Sequence, residues 1–269
     1  MPTQPPNTRR APRLLFCGDI HGHADHILEA AALHRPAAVI LLGDVQAPRP
    51  LDQMFAALAD RTALWFIHGN HDTDSDADYD HLWGSAWASR NLHGRVVTIA
   101  GLRVAGLGGV FRGHVWDPRS EPVFDSPQDF LRRGGKGNRW RGGLVRKHHS
   151  TIFPSDIRAL KGQRADILVT HEAPDCHPMG VAPITALAQS MGVRHSFHGH
   201  HHDCLDYRAA TGRLGFQAHG VGFCGISDEE GNVLYPGDFD AVHANRRSPD
   251  TDTRQERYPS KPGPGLLGF

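Results

Sequence analysis

The chain has 269 residues, enough for one large domain or two small ones. Its 29 basic and 29 acidic side chains cancel, which excludes a global field that would select nucleic acid or a membrane surface. The four cysteines are widely spaced with no C-x-x-C pair, as in reduced, mostly buried thiols rather than a disulfide frame or zinc knuckle. The opening "MPTQPPNTRRAPR" is polar and proline-rich with no apolar run behind it. No stretch approaches the roughly 20 apolar residues of a membrane span, so a soluble cytoplasmic protein is expected.

In chain order, "RLLFCGD" reads as a buried strand, followed by a helix in "ADHILEAAALH" whose Ile27, Leu28, Ala31 and Ala32 share a face. "AAVILLGD" is a second strand and "PLDQMFAALAD" a second helix, apolar at Leu51, Met54, Phe55 and Leu58. "ALWFIHGN" is a third strand, leading to a segment with Trp83 and Trp87. Strand and helix in alternation predict an α/β sheet with crossover helices. A hairpin follows in "RVVTIAGLRVAGL", turning at Ala100-Gly101. "ADILVTHEAP" and "VRHSFHGHHHD" return to single buried strands. The end reads as all-β, with hairpin turns at Thr211-Gly212 and at Glu230-Gly231-Asn232. The expected domain is residues 13–242, between disordered tails at 1–12 and 243–269. It carries a basic insert, 112–153, long enough to be functional or disordered.

Twenty histidines are an excess that asks for a chemical explanation. The strand ends carry Asp19-Ile20-His21, Gly43-Asp44, Gly69-Asn70-His71-Asp72, a lone His171, and His198-Gly199-His200-His201-His202. In open α/β sheets the reactive crevice lies outside the carboxyl ends of the strands, so these groups face one site. Two aspartates, an asparagine and several imidazoles suit manganese, iron or zinc, and are more donors than one tetrahedral ion takes. The alternation in Asp19-x-His21 and His200-x-His202 would put each pair on one side of an extended backbone. Caps and turn residues explain each stretch alone, but not five in this order.

The run "GDIHGH", "GDV", "GNHD", "VTHEAP" and "GHHH" resembles the calcineurin-like metallophosphoesterases, over roughly residues 13–225. That resemblance implies a four-layer αββα sandwich, two mixed β-sheets flanked by helices, with a dinuclear metal site. It implies that Asp19, His21 and His202 hold one ion, that Asn70, His171 and His200 hold the other, and that Asp44 bridges them. His71 would face the substrate phosphate. Asp72 would either hold His71 or cap the following helix. The implied reaction is hydrolysis of a phosphoester, in a small molecule or nucleic acid, by a hydroxide that two ions activate. "LLGDVQAPRPLD", "GLRVAGLGGVFRGH" and the stretch before His171 look like the catalytic domain of RNA lariat debranching enzymes. Those usually have cysteine where Asp19 stands, and a C-terminal domain not found here. "GDVQAPR" does not match the Ser/Thr phosphatase branch.

Arg112, after "GGVF", is the arginine favoured for phosphate contact. His148 and His149 either approach the phosphate or lie on the surface. Arg132, Arg133, Lys136, Arg139 and Arg141 form either a solvated face or a substrate grip. His198 is expected in the core or behind the ligands, and His201 in solvent or paired with Asp203. His68 is expected to be structural. Other readings are a nucleic-acid binding module that uses the insert and a metalloprotein whose ions only support the fold.

Overall fold

The short apolar runs fold as strands buried on both faces. A computed structural model of the chain describes residues 13–135 and 137–237. The first sheet contains β1 (Leu14–Cys17), β2 (Ala38–Leu42) and β3 (Ala63–Ile67). The second begins with the hairpin β4 (Arg95–Ile99) and β5 (Leu102–Leu107), then takes β6 (Ile167–Thr170), β7 (His195–His198) and β8 (Gln217–Gly220). The strands β9 (Ile226–Asp228) and β10 (Val233–Tyr235) return to the first sheet. The orders are β10-β9-β1-β2-β3 and β4-β5-β6-β7-β8. Strands β1 to β3 run parallel, as do β5 to β8; β9, β10 and β4 are antiparallel to their neighbours.

Because successive side chains point to opposite faces, β1 divides its residues between two cores. Leu14 and Phe16 face the second sheet with Ile40, Leu42, Val169 and Phe197. The Phe16 and Phe197 rings stack with centroids 3.9 Å apart. Leu15 and Cys17 face outward, under α1 (Asp25–His34) and α2 (Leu51–Met54), against Ile27, Leu51 and Met54. Helix α3 (Asp76–Trp83) lies beyond β3, and α4 (Pro127–Arg133) lies in the insert. The second sheet's outer face is covered through α5 (Pro154–Leu160), α6 (Ala182–Met191) and α7 (Thr211–Leu214), with Leu160, Ile184, Leu187, Met191 and Leu214 buried. The layers are helix, sheet, sheet, helix, as expected. Among the described residues no helix is long and apolar enough to cross a membrane.

Two expectations need correction. Thr211-Gly212 is not a hairpin turn: those residues begin α7, which buries Leu214 and ends at Gly215 with φ 76°. The strand that follows, β8, runs parallel to β7 instead of pairing back in a hairpin. The second is the insert, read as either functional or disordered: among its described residues Val115, Phe124, Phe130, Leu144 and Phe153 form a core of their own. The hairpins at Ala100-Gly101 and Gly231 are present. Residues 1–12 and 243–269, the expected tails, lie outside the described residues, as does Lys136.

Candidate metal centre

The ends of β1, β2, β3, β6 and β7 open on one crevice, and each sends its polar residues there. Their backbone is not the extended one the alternation suggested. Asp19 (φ 29°), His21 (41°), Asp44 (47°), His200 (69°) and His202 (57°) all have positive φ. Side chains rarely adopt this region, and such residues concentrate where function demands a geometry. The chain leaves β1, β2 and β7 by left-handed turns, whereas Asn70, after β3, keeps φ −75°.

Two sets of donors result. One ligand atom from each of Asp19, His21, Asp44 and His202 lies within 4.8 Å of the others, and so do atoms of Asp44, His171 and His200. Asp44 belongs to both. The His21 and His202 Nε2 atoms face each other at 3.3 Å. Asn70 Oδ1 lies 3.2 Å from His171 Nε2, and Asp44 Oδ2 lies 3.4 Å from the same nitrogen.

Partners behind these groups set their tautomers. His171 Nδ1 donates to the Leu42 carbonyl at 2.8 Å, and His21 Nδ1 donates to Gln46 Oε1 at 2.6 Å. Each ring thereby turns Nε2 toward the crevice, the arrangement that orients metal-binding imidazoles. Asp19 accepts from the His200 backbone N–H through both oxygens, at 3.0 and 2.9 Å.

Asp19 and Asp44 are both fully buried, so uncompensated charge is costly. Burial pushes the Asp19 carboxyl well above its ordinary range. Burial also acts to raise Asp44, but the His171 charge and hydrogen bond outweigh it and hold Asp44 low. His171 is pushed up in turn: Asp44 and Asp19 overcome the burial that would lower it. His200, half-buried and beside His171, is pushed down to about 3 by desolvation and by the His171 charge.

His71 sits at the rim. Its backbone N–H donates to Asp44 Oδ1 at 2.8 Å, and its Nδ1 meets Asp74 Oδ2 at 2.5 Å. Asp72 neither holds His71 nor caps a helix. It is buried, and its carboxylate accepts from the backbone N–H groups of Gln46 and Gly69, each at 2.8 Å, tying two ligand loops together. The cap of α3 is Ser75.

Arg112 is half-buried, donating to Thr151 Oγ1 at 3.1 Å and Ser150 Oγ at 3.3 Å, within reach of the Asp74, Asp44 and Glu172 charges. His149 is placed apart from both donor sets, edge-on to Tyr79 at 4.9 Å and to Trp140 at 5.9 Å. His148 is buried against Phe130. His198 is buried, as expected. His201 does not pair with Asp203: it stacks on His177 at 3.9 Å, and His177 Nε2 meets Asp203 at 3.3 Å. The insert's arginines find partners within the fold. Arg132 and Arg133 pair with Asp129, Arg141 with Asp76 and Asp80, and Arg139 with the Leu131 carbonyl.

Three contributors were not singled out from sequence. Gln46 lies in the quoted "GDVQAPR", Asp74 stands three residues after His71, and Phe223 gave no signal. The Phe223 ring lies 5.4 Å from His21 and 5.2 Å from His202.

Residues 12–204 match the model of a family described as calcineurin-like phosphoesterase. The chain belongs to that family. It is 46% identical over 223 residues to an uncharacterized protein of Haemophilus influenzae, covering 82% of this chain and 96% of that one. Among solved structures, TT1561 of Thermus thermophilus aligns with a TM-score of 0.52 at 13% identity, covering 84% of this chain and 99% of that one. That is a likeness of fold. For a calcineurin-like phosphoesterase, two donor sets at the strand ends fit metal-dependent phosphoester hydrolysis.

Proposed function

We propose that this chain is a two-metal phosphoester hydrolase acting in the crevice at the strand ends. The observation that carries the reading is the pair of donor sets that share the buried Asp44. The donors fit the group: imidazole nitrogens and carboxylates suit divalent transition ions such as manganese, iron or zinc. Asp19, His21 and His202 would hold one ion; Asn70, His171 and His200 would hold the other; Asp44 would serve both. Bound there, the ions supply Lewis acidity toward a phosphoryl oxygen and bring the pKa of a shared water near neutrality.

The chain's own residues do the rest. With Nδ1 engaged by Asp74, His71 has Nε2 left to give a proton to the leaving oxygen or to stabilise its charge. Burial alone would lower the His71 pKa, but the Asp74 hydrogen bond and the Asp44 charge raise it overall, which favours a donor. Arg112, anchored by Ser150 and Thr151, is positioned to balance charge on the phosphoryl oxygens. Since the insert's arginines are engaged within the fold, we favour a small phosphoester over lariat-like or other nucleic acid.

A panel of mono- and diesters assayed with manganese, iron, zinc and magnesium in turn tests the reading. Turnover that needs an added transition ion is expected, and His71→Ala should lower kcat by about 10² to 10⁴ on a poor leaving group. The loss should shrink on a nitrophenyl ester. Bound ions without turnover on any ester would make this a structural metalloprotein.

A further inference from the structure

A cavity of about 580 Å³ opens beside the second donor set, with His200 and His201 in its wall. Phe111, Pro178, Met179, Val181 and Ala182 share that wall with the charged Asp117, Arg119 and Glu172. Small-molecule sites usually set apolar side chains beside a few polar groups in one concave surface. Met179 is 71% exposed, and among the described residues it is the large exposed apolar side chain that lines a cavity shared with a donor residue.

The rim is built, not slack. Val181 donates its N–H to Ala173 at 3.0 Å, His177 to Pro174 at 3.0 Å, and Gly180 to His177 at 2.9 Å. Gly180 is so enclosed that a Cβ would lie 1.9 Å from the Pro174 carbonyl oxygen. The Met179 N–H donates to His177 Nδ1 at 2.9 Å, and His177 Nε2 meets Asp203 on the loop that carries His200 and His202. Methionine suits contact with a ligand because its flexible, polarisable side chain adapts to a ring. Phe111, also in the wall, is fixed edge-on against Trp116 at 5.0 Å.

We propose that this cavity takes the apolar, ring-sized organic substituent of the phosphoester, so that the substrate is an aryl- or nucleoside-sized ester and not a short alkyl or polyol phosphate. The inference rests on the hydrolase reading, since it needs a phosphoryl group seated beside His200. A group there would lie between Phe111 and Met179 while its phosphoryl end reached the donors.

The test compares binding of phenylphosphonate and methylphosphonate, which no hydrolase step consumes, to the manganese-loaded full chain by calorimetry. Phenylphosphonate should bind at least about 10-fold more tightly, as expected for burying a ring's apolar surface. Trp116 fluorescence should respond to the phenyl compound alone. Met179→Ser and Ala182→Trp, at exposed positions, should each cut the preference to about 2-fold and leave methylphosphonate affinity unchanged. No preference in the natural chain, or a preference that survives both substitutions, overturns the proposal. So does failure of both phosphonates to bind. A clear preference in a protein that turns over no ester would sink the hydrolase reading and leave the cavity standing; turnover without preference would do the reverse.

Discussion

The Asp72 carboxylate accepts from two backbone N–H groups on different ligand loops, while the Asp74 carboxylate, two residues on, meets the His71 imidazole. Adjacency in sequence pointed to Asp72 as the partner of His71. Residues 71–73 instead form a single 3₁₀ turn, in which side chains three apart line up, so position 74 returns to His71. Replacing Asp72 by Ala strands two buried donors and should cost about 3 kcal/mol in urea unfolding. Asp74→Ala, at an exposed pair, should change stability by less than about 0.5 kcal/mol. It should still lower kcat by roughly 10-fold on an ester with a poor leaving group, and less on a nitrophenyl ester. Unchanged kcat on both esters would leave His71 without a working partner. The shared position of Asp44 gives another expectation. Asp44→Asn should weaken both ions, and His21→Ala mainly one, as elemental analysis of the purified variants would show; two full ions in Asp44→Asn would remove the bridge.

At the scale of elements, the apolar runs and the polar residues that end them were legible, because burial on both faces leaves a continuous hydrophobic signature. The left-handed turns after β1, β2 and β7 were not, and neither was the crowding between distant loops behind the crevice. Gly69 carries the point: a Cβ there would lie 2.2 Å from Asp44 Oδ1 and 2.6 Å from His171 Cε1. Gly43 has φ +97° and would bring a Cβ 2.4 Å from His171 Nδ1. Gly69→Ala should therefore weaken ion binding at least about 10-fold and destabilise the fold by several kcal/mol, about the size of an overpacked core. Gly113→Ala, with nothing within 4 Å of the added atom, is the control and should do neither. The insert's charge was legible, but the pairing that occupies it was not. The acidic side chains of α3 that take up Arg141 lie about sixty positions away, beyond any local pattern. Replacing Arg132, Arg133, Arg139 and Arg141 together by Ala should leave KM for a polyanionic ester within about 2-fold; a larger rise would show that these charges grip substrate after all.

Across the whole molecule, the two sheets meet through Phe16 and Phe197, and this places the ends of five strands around one crevice. The histidine excess was legible as chemistry, yet much of it is interior. Burial, together with its neighbours Lys147 and His114, pushes His148 down to about 4, and burial pushes His198 and His219 to about 4 as well. An unfolded histidine titrates near 6.5, so between pH 4 and 6.5 the unfolded chain binds protons that these folded rings refuse. Stability from such a group is complete above about pH 6.5 and is lost as the pH falls toward 4. The buried carboxyls Asp19 and Asp72 work in the opposite sense, since burial raises their pKa and the folded state holds their protons longer. A difference between variants separates the two effects. His148→Phe keeps the ring contact with Phe130, 4.6 Å between centroids, and removes the titrating nitrogen. In urea unfolding with a chelator present, the natural chain should lose about 2 kcal/mol more than this variant between pH 7 and 4.5. Parallel losses would mean that His148 takes up its proton in the folded state and that the insert's core admits water.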